Sequence, residues 1–213
     1  SKFIAIALPV RTLDEIKAFV GEDTYTTGDL AAAGCTISVG SIMAALEEAV
    51  KNAAASEATA EDTVKIAFAT SVENTDATEE KEGSVEFEET IVAAVTDKDG
   101  KVVVAKTDCA VVTVTFDTKG VATVDTTAEI KTKLDLGTDY NMAAYGKKHD
   151  GSDGAVKEWF EQAAAFDATL VGKTASEFAS LADADGYGTG DLATAGCTIG
   201  ISDMIKAADK AAK

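Results

Sequence analysis

The side chains that most often carry catalysis are few in this chain and lie far apart. His149 is the only histidine, and it sits in a polar stretch beside Lys147 and Lys148. A Ser-His-Asp or Cys-His arrangement would have to use this histidine, and its setting does not favour that role. The sequence therefore predicts no catalytic residue, and we expect the protein not to be an enzyme.

The three cysteines, Cys35, Cys109 and Cys197, lack the C-x-x-C spacing of metal and redox motifs. One histidine and three scattered cysteines do not provide the ligand spacing of a zinc site either, so no metal site is predicted. Cys35 and Cys197 both lie in the apolar run Ala-Gly-Cys-Thr-Ile, which favours small buried side chains. A disulfide between these two residues remains open on the sequence alone.

A run rich in aspartate and glycine, residues 183–191, has the composition of a calcium loop. An EF-type loop needs ligand oxygens at positions 1, 3, 5 and 12 and glycine at position 6. With Gly186 at position 6, Leu181 and Leu192 fall at positions 1 and 12, where neither side chain offers oxygen. We therefore interpret the run as a flexible acidic loop.

Aromatic residues give the remaining candidates for a binding site. Tyr140, Tyr145 and Trp159 could stack on a planar ligand such as a flavin, although Trp159 is better explained as packing a helix onto a sheet. These three residues are weak cofactor-binding candidates. The sequence predicts no cofactor, with noncovalent FMN as the alternative.

Charge excludes several kinds of partner. The chain of 213 residues has a formal net charge of -18, which repels phosphate backbones and anionic lipid headgroups. No apolar run reaches the length of a membrane span, so we expect no direct membrane insertion by this segment. The predicted partner is an unknown protein or small-molecule ligand, and not a nucleic acid.

The elements that must position these side chains include an internal duplication. Residues 12–43 match residues 174–205 without a gap, and the runs Thr27–Ala31 and Thr189–Ala193 are identical. A match of this length indicates a true repeat. We call residues 4–53 copy one and residues 171–213 copy two.

Each copy is predicted to form a helix, a loop, a short helix, a strand-like link and a last helix. Thr12 and Thr174 begin capping boxes, which indicate helix starts. Ser41 and Ser202 are the predicted N-caps of the last helices.

Between the copies, residues 63–125 alternate in the manner of an antiparallel β-meander of four or five strands. Lys101–Lys106 and Ala110–Phe116 are predicted as separate strands. A helical link follows at residues 128–170, with a helix from Ala155 to about Leu170. Because the sheet needs one covered face, we expect one α+β domain over residues 1–213, which deletion of residues 1–53 would unfold.

Short motifs over residues 84–205 carry a family resemblance. They are Val92–Val95, Asp99–Lys101, Glu129–Lys133, Leu136–Gly137, Tyr140–Met142, Lys157–Trp159, Glu161–Ala163, Val171–Thr174, Asp191–Ala193 and Thr198–Ile199. They resemble an uncharacterised family of exported or surface-attached proteins from anaerobic Firmicutes, and the helix motif around Trp159 is the most specific. The resemblance implies an extracytoplasmic location, either secreted or attached to the cell surface. It transfers no functional residue.

The meander also has a distant resemblance to flavin-binding domains of the bacterial envelope. Their Ser/Thr-Gly-Ala-Thr motif for covalent flavin attachment is absent from this sequence. Two hypotheses follow. The first is a non-enzymatic extracytoplasmic binding or surface module for an unknown ligand. The alternative is a noncovalent FMN-binding domain in extracellular electron transfer.

Overall fold

A computed structural model describes residues 13–54, 57–59, 61–125, 127–145 and 157–213. The chain divides into two compact units, Ser1–Glu57 and Ala58–Lys213, and each is described by itself. The predicted α+β class is confirmed, because a four-stranded antiparallel sheet is combined with helices. The expectation that residues 1–213 form one domain stays a prediction.

The first unit consists of short helices around a small core. Its helices are α1 (Leu13–Lys17), α2 (Gly28–Ala32) and α3 (Gly40–Ala54). Its buried core residues are Ile16, Leu30, Cys35, Val39 and Met43. The predicted helix start at Thr12 lies outside the described residues.

The second unit contains the predicted meander. Its strands are β1 (Thr63–Thr75), β2 (Gly83–Thr96), β3 (Val102–Phe116) and β4 (Ala122–Thr123), and they pair in that order. The prediction of separate strands at 101–106 and 110–116 is wrong. The polar residues between them suggested a break, but Thr107 pairs with Val92 and is fully buried, so the ladder continues as one strand.

The two tight turns of the meander confirm the predicted hairpins. Asp97 Oδ1 accepts hydrogen bonds from the backbone N–H groups of Asp99 and Lys101, each at 2.9 Å. Gly100 has φ 75°, a left-handed conformation that glycine adopts at little cost. Asp117 and Gly120 repeat this arrangement before β4, with Gly120 at φ 77°.

The described residues of the second unit form five α-helices and two 3₁₀ helices. They are α4 (Lys133–Leu136), α5 (Met142–Tyr145), α6 (Trp159–Leu170), α7 (Gly190–Thr194) and α8 (Ser202–Ala212), with 3₁₀ helices at Gly137–Tyr140 and Ala175–Leu181. The predicted start of α6 at Ala155 falls outside the described residues. In the described part, the helix begins at Trp159, because Glu158 and Glu161 form a capping box there.

The predicted serine N-caps are wrong. Ser202 is already the first residue of α8, and Ile201 occupies the N-cap position without a capping side chain. Ile201 is fully buried, and its N–H donates to Gly186 O at 2.8 Å. The chain thus enters the helix from a buried apolar residue, so core packing decides the start. In copy one, α3 likewise begins at Gly40, before Ser41.

The two faces of the sheet differ. Helices α6 and α8 contact the face that carries mainly small buried side chains, which we call the covered face: Ala69, Thr90, Val92, Ala94, Ala105, Thr107 and Cys109. The opposite face, which we call the outer face, carries exposed apolar side chains: Val64, Ile66, Phe68, Val72, Val85 and Phe87. The sheet therefore has its predicted helical cover on one face and a second apolar face exposed.

The predicted duplication is confirmed by matching backbone geometry. Cys35 N–H donates to Leu30 O at 3.0 Å, and Cys197 N–H donates to Leu192 O at 3.1 Å. Gly28 and Gly190 stand at equivalent positions with φ 56° and 57°. The first helical turn differs, because copy two has the 3₁₀ helix Ala175–Leu181 where copy one has α1. The Thr174 capping box is confirmed, with Glu177 Oε2 accepting from Thr174 N–H at 2.8 Å.

At one contact within each copy, the glycine and the larger residue have changed places between copy one and copy two. Copy one has Thr24 facing Gly40, whereas copy two has Gly186 facing Ser202 at the equivalent positions. Both Thr24 and Gly186 are left-handed, with φ 67° and 87°. A Cβ atom at Gly186 would overlap the hydroxyl of Ser202, and a Cβ at Gly40 would lie 3.3 Å from Thr24 Cβ. Each copy thus places one side chain where the other copy has none.

Candidate functional site

A pocket of about 430 Å³ opens on the second unit. It lies between β2, the start of α6 and the part of copy two that leads into α8. The charged lining residues are Glu88, Lys133, Asp185 and Asp203; the apolar ones are Met142, Trp159, Ile199 and Met204; the others are Thr90, Gly186, Tyr187, Gly200 and Ser202. This mixture of apolar surface and a few converging polar groups is typical of small-ligand sites.

Helix α4 positions Lys133 against the sheet. Thr132 pairs with Ala110 at the edge of β3, and its hydroxyl accepts from Asp135 N–H at 3.1 Å. Asp108 Oδ1 also accepts from Leu134 N–H at 3.2 Å. These contacts fix both the start of the helix and its position along β3. As a result, Lys133 points into the site rather than into solvent, with 7% of its surface exposed.

The ammonium group of Lys133 is surrounded by a carboxylate and two rings. Its Nζ lies 3.3 Å from Glu88 Oε2, 5.4 Å from the centre of the Tyr140 ring and 5.5 Å from that of Trp159. Both rings are within the range of a cation–π contact. Burial alone would lower the pKa of Lys133, but the neighbouring Cys109, Glu88 and Tyr140 raise it overall. Lys133 is therefore a cation at neutral pH.

The nearby thiol of Cys109 is unreactive. Cys109 is 1% exposed, and burial raises its pKa to about 12, with Lys133 partly opposing this and Glu88 adding to it. Burial also raises the pKa of Cys197 to about 11. The thiolate is the nucleophilic form of cysteine, so both thiols are inert at neutral pH. All three cysteines are free and buried, and Cys35 and Cys197 are therefore unpaired as a disulfide.

The second wall of the pocket is the loop of copy two. Asp183 Oδ1 accepts from Asp185 N–H at 3.0 Å and from Tyr187 N–H at 2.9 Å. Gly186 is joined to Ile201 by the backbone hydrogen bond already described. The loop that the sequence predicts to be flexible thus has a regular hydrogen-bond set, which holds exposed Asp185 at the mouth of the pocket.

Glu158 and Gln162 fix the start of α6, where Trp159 lies. The carboxylate of Glu158 accepts from Met142 N–H at 2.9 Å, which ties α5 to the start of α6. Gln162 is fully buried, donates to Lys157 O at 2.9 Å and accepts from Thr198 N–H at 2.9 Å. Trp159 lines the pocket from the first turn of α6, and only 3% of the residue is exposed.

The pocket is negative on balance. Three carboxylates line it against one ammonium group. Lys133 pairs with Glu88, and Lys206 pairs from outside with Asp203 at 2.7 Å. Within the described ranges, no three His, Cys, Asp or Glu residues are grouped closely enough to hold a metal ion. A concave site with excess carboxylate concentrates cations electrostatically.

The structure places the predicted aromatic candidates as follows. Trp159 lines the pocket and also belongs to the main core, so the favoured packing interpretation is confirmed. Tyr140 lies beside Lys133 without lining the pocket. The side chain of Tyr145 is outside the described part of the chain, as is His149.

Sequence reasoning missed the charged residues of the site, Glu88, Lys133, Asp185 and Asp203. These lie on four separate segments, and only the fold brings them together. One signal was present, since Asp185 belongs to the acidic loop that was considered for calcium. No comparable signal marked Lys133, because a single lysine in a short capped helix is ordinarily exposed.

Comparison with protein-family models, with curated proteins and with solved structures gives no match for the chain. Among the described residues, no helix is both long and apolar enough to cross a bilayer.

Proposed function

We propose that this chain is a non-enzymatic extracytoplasmic binding module whose pocket takes a positively charged group, such as the primary amine of a small molecule or peptide. The observation that carries the proposal is the lining, in which Glu88, Asp185 and Asp203 outnumber the buried Lys133. The extracytoplasmic location rests on the family resemblance alone.

A non-enzymatic role is supported by the titration of the buried groups. Cys109 and Cys197 have pKa values raised by burial to about 12 and about 11, which disfavours nucleophilic attack. The pKa of Lys133 is raised, whereas a catalytic amine needs a lowered one. These groups have the protonation states of packing residues and ion-pair partners.

A cationic ligand suits the pocket better than the FMN alternative does. The phosphate of FMN would enter beside three carboxylates, and the one lining cation already lies 3.3 Å from Glu88. Trp159 is almost fully buried, which leaves little ring surface on which a flavin could stack. An amine would instead be attracted by Asp185 at the mouth, with its apolar part against Met142 and Met204.

The test is calorimetric titration of the full chain with a set of primary amines and, separately, with FMN. We expect the amines to bind and the affinity to fall as salt is added, because screening weakens exposed charge pairs. Asp185→Asn should weaken amine binding by about tenfold, which corresponds to one charge-assisted contact.

Asp23→Asn is the matched control, because Asp23 stands at the equivalent position of copy one in a loop of the same backbone geometry. It should leave amine binding unchanged. Saturable FMN binding with a yellow complex, together with no amine binding, would contradict the proposal and favour the flavin alternative.

A further inference from the structure

The last helix of copy two lies on the sheet through one stripe of side chains. Met204, Ala207, Ala208 and Ala211 of α8 are 4%, 0%, 1% and 1% exposed. Their helix contacts β1 and β2. The small side chains of the covered face, such as Ala69 and Val92, allow this close approach. The repeated unit therefore contains a helix surface that packs on an antiparallel sheet.

Copy one carries the same helix surface without that burial. The equivalent positions in α3 are Ile42, Ala45, Leu46 and Ala49. Ile42 is 39% exposed, Ala45 and Ala49 are exposed, and Leu46 is half-buried. We call these four residues the α3 stripe. It is larger than its counterpart in α8, because Leu46 stands where copy two has Ala208.

The outer face of the sheet is the second exposed apolar surface. Val64, Ile66 and Val72 are 61–67% exposed, and Phe68 is 47% exposed. At such exposures each side chain offers on the order of 100 Å², so the six residues of this face supply most of the ~800 Å² per partner of a standard interface. Contiguous apolar surface of this extent typically marks an interaction site.

Charge is also distributed in a way that favours contact at this face. The chain has a formal net charge of -18, yet the outer-face positions of β1 from Val64 to Val72 carry no charged residue. The neighbouring strands contribute Glu89, Lys106 and Asp108 to the same face, a net of one negative charge. A nearly neutral surface on a strongly acidic chain lets two molecules approach each other there with the least repulsion.

We propose that the outer face of the sheet binds a second copy of this chain, whose α3 stripe packs on it as α8 packs on the covered face. This goes beyond the proposed pocket function and does not depend on it. The two contacting surfaces are different, so the contact is heterologous. After one contact, one chain still has its α3 stripe free and the other its outer face. Such a contact extends into an open assembly unless it closes into a ring.

The experiment is analytical ultracentrifugation of the full chain at increasing concentration and at low and high salt. We expect species larger than a monomer. Their fraction should increase with salt, because salt screens the repulsion between the acidic molecules. Ile42→Glu and Ile66→Glu should each weaken association by about tenfold or more, because each would bury an unpaired charge in the contact.

Ile130→Glu is the matched control, since Ile130 is 63% exposed and lies outside both surfaces. It should associate like the unaltered chain. Circular dichroism should show all three variants folded, and Val64→Lys replaces Ile66→Glu if that variant does not fold.

The decisive measurement is a mixture of Ile42→Glu with Ile66→Glu. The first variant retains an intact outer face and the second an intact α3 stripe, so they should form a 1:1 complex that grows no further. A chain that stays monomeric at every concentration and salt would overturn the proposal. So would association that Ile66→Glu abolishes and Ile42→Glu leaves intact, which would indicate packing of sheet on sheet.

Discussion

Copies one and two share their backbone geometry after the first helical turn but have different surroundings. In copy two, the last helix lies on the sheet, and the loop before it lines the pocket. In copy one, the equivalent residues Tyr25, Ile37 and Ile42 are 50%, 58% and 39% exposed. The repeat therefore specifies an inner core, whereas the equivalent outer residues are buried or half-buried in copy two and exposed in copy one.

The inner cores match at four of the five buried core positions of copy one; the fifth, Met43, corresponds to half-buried Ile205. The buried pairs are Ile16 with Phe178, Leu30 with Leu192, Cys35 with Cys197, and Val39 with Ile201. Because only the first pair differs much in size, the repeated fold tolerates an aromatic ring in place of an aliphatic side chain there. The comparison can be tested by disturbing one copy at a time.

The largest expected effect comes from opening a cavity in one core. Leu192→Ala and Leu30→Ala each remove a fully buried leucine, and each should cost about 2–5 kcal/mol in the free energy of unfolding. Trp159, the only tryptophan, reports on the second unit through its fluorescence. The two leucines belong to separate core clusters, so Leu192→Ala should lower the fluorescence midpoint and Leu30→Ala should not.

This pair of variants also decides the predicted single domain. If Leu30→Ala lowers the Trp159 midpoint as much as Leu192→Ala does, the chain unfolds as one domain, and deletion of residues 1–53 should destabilise the rest. If the midpoint is unchanged, a chain that begins at Ala58 should keep a cooperative transition.

The second effect comes from giving copy two the residues that copy one has at the contact between positions 186 and 202. Gly186→Thr puts a side chain against Ser202 on a left-handed backbone, and overpacking and strain each cost about 1–3 kcal/mol. Adding Ser202→Gly reproduces the arrangement of copy one and should recover the overpacking part. Thermal unfolding of the single and double variants measures this, and no recovery in the double variant would show that the copies pack differently here.

The third effect contrasts a buried ion pair with an exposed one. Glu88→Gln leaves the ammonium of Lys133 buried beside an amide and should cost about 1–3 kcal/mol. In copy one, Lys17 and Glu47 pair at 3.0 Å with side chains 46% and 42% exposed, so Glu47→Gln should cost only about 0–1 kcal/mol. Denaturant titration of both variants checks the contrast, which equal losses would contradict.

The smallest expected effect is a pH dependence that arises where α6 packs on the sheet. Burial raises the pKa of Asp167 above its ordinary value of 3.8, and hydrogen bonds from Thr107 partly oppose this. The folded state thus holds this proton more tightly than the unfolded chain. Its contribution to stability is present at acidic pH and is lost as pH rises from 3.8 through the folded pKa.

Asp167→Asn should remove this dependence of stability on pH. The free energy of unfolding of the variant should therefore change less between acidic and neutral pH than that of the unaltered chain. Asp99→Asn is a suitable control, because Asp99 lies in an exposed turn and pairs with its exposed neighbour Lys98 at 2.8 Å. An unchanged slope in Asp167→Asn would assign the pH dependence to another group.

The sequence was sufficient wherever local pattern determines structure. The duplication, the Asp97 and Asp117 turns and the Thr174 capping box are all short-range signals, and each is present in the fold. The alternation of β1 also identifies its two faces. It does not tell which face is covered, because that depends on the small stripe of α8, more than a hundred residues away in the chain.

The candidate site was predictable only in part. The sequence indicates Trp159 and Tyr140 as aromatic candidates, and both rings lie within cation–π range of one ammonium group, at 5.5 Å and 5.4 Å. That group, Lys133, could not be identified, because its burial arises from the pairing of Thr132 with Ala110. Glu88 looked like an ordinary outward residue of an alternating strand for the same reason.

The volume exchange between the copies constrains the evolutionary path that separated them. Threonine at position 24 or 186 together with serine at position 40 or 202 would crowd the same space, so this combination is disfavoured in either copy. Two glycines fit in both. A route by single substitutions from one arrangement to the other therefore passes most easily through an intermediate with glycine at both positions. The larger residue is replaced by glycine first, and the other glycine is then replaced by a larger residue. The order of the two mutations is thus set by one interatomic contact.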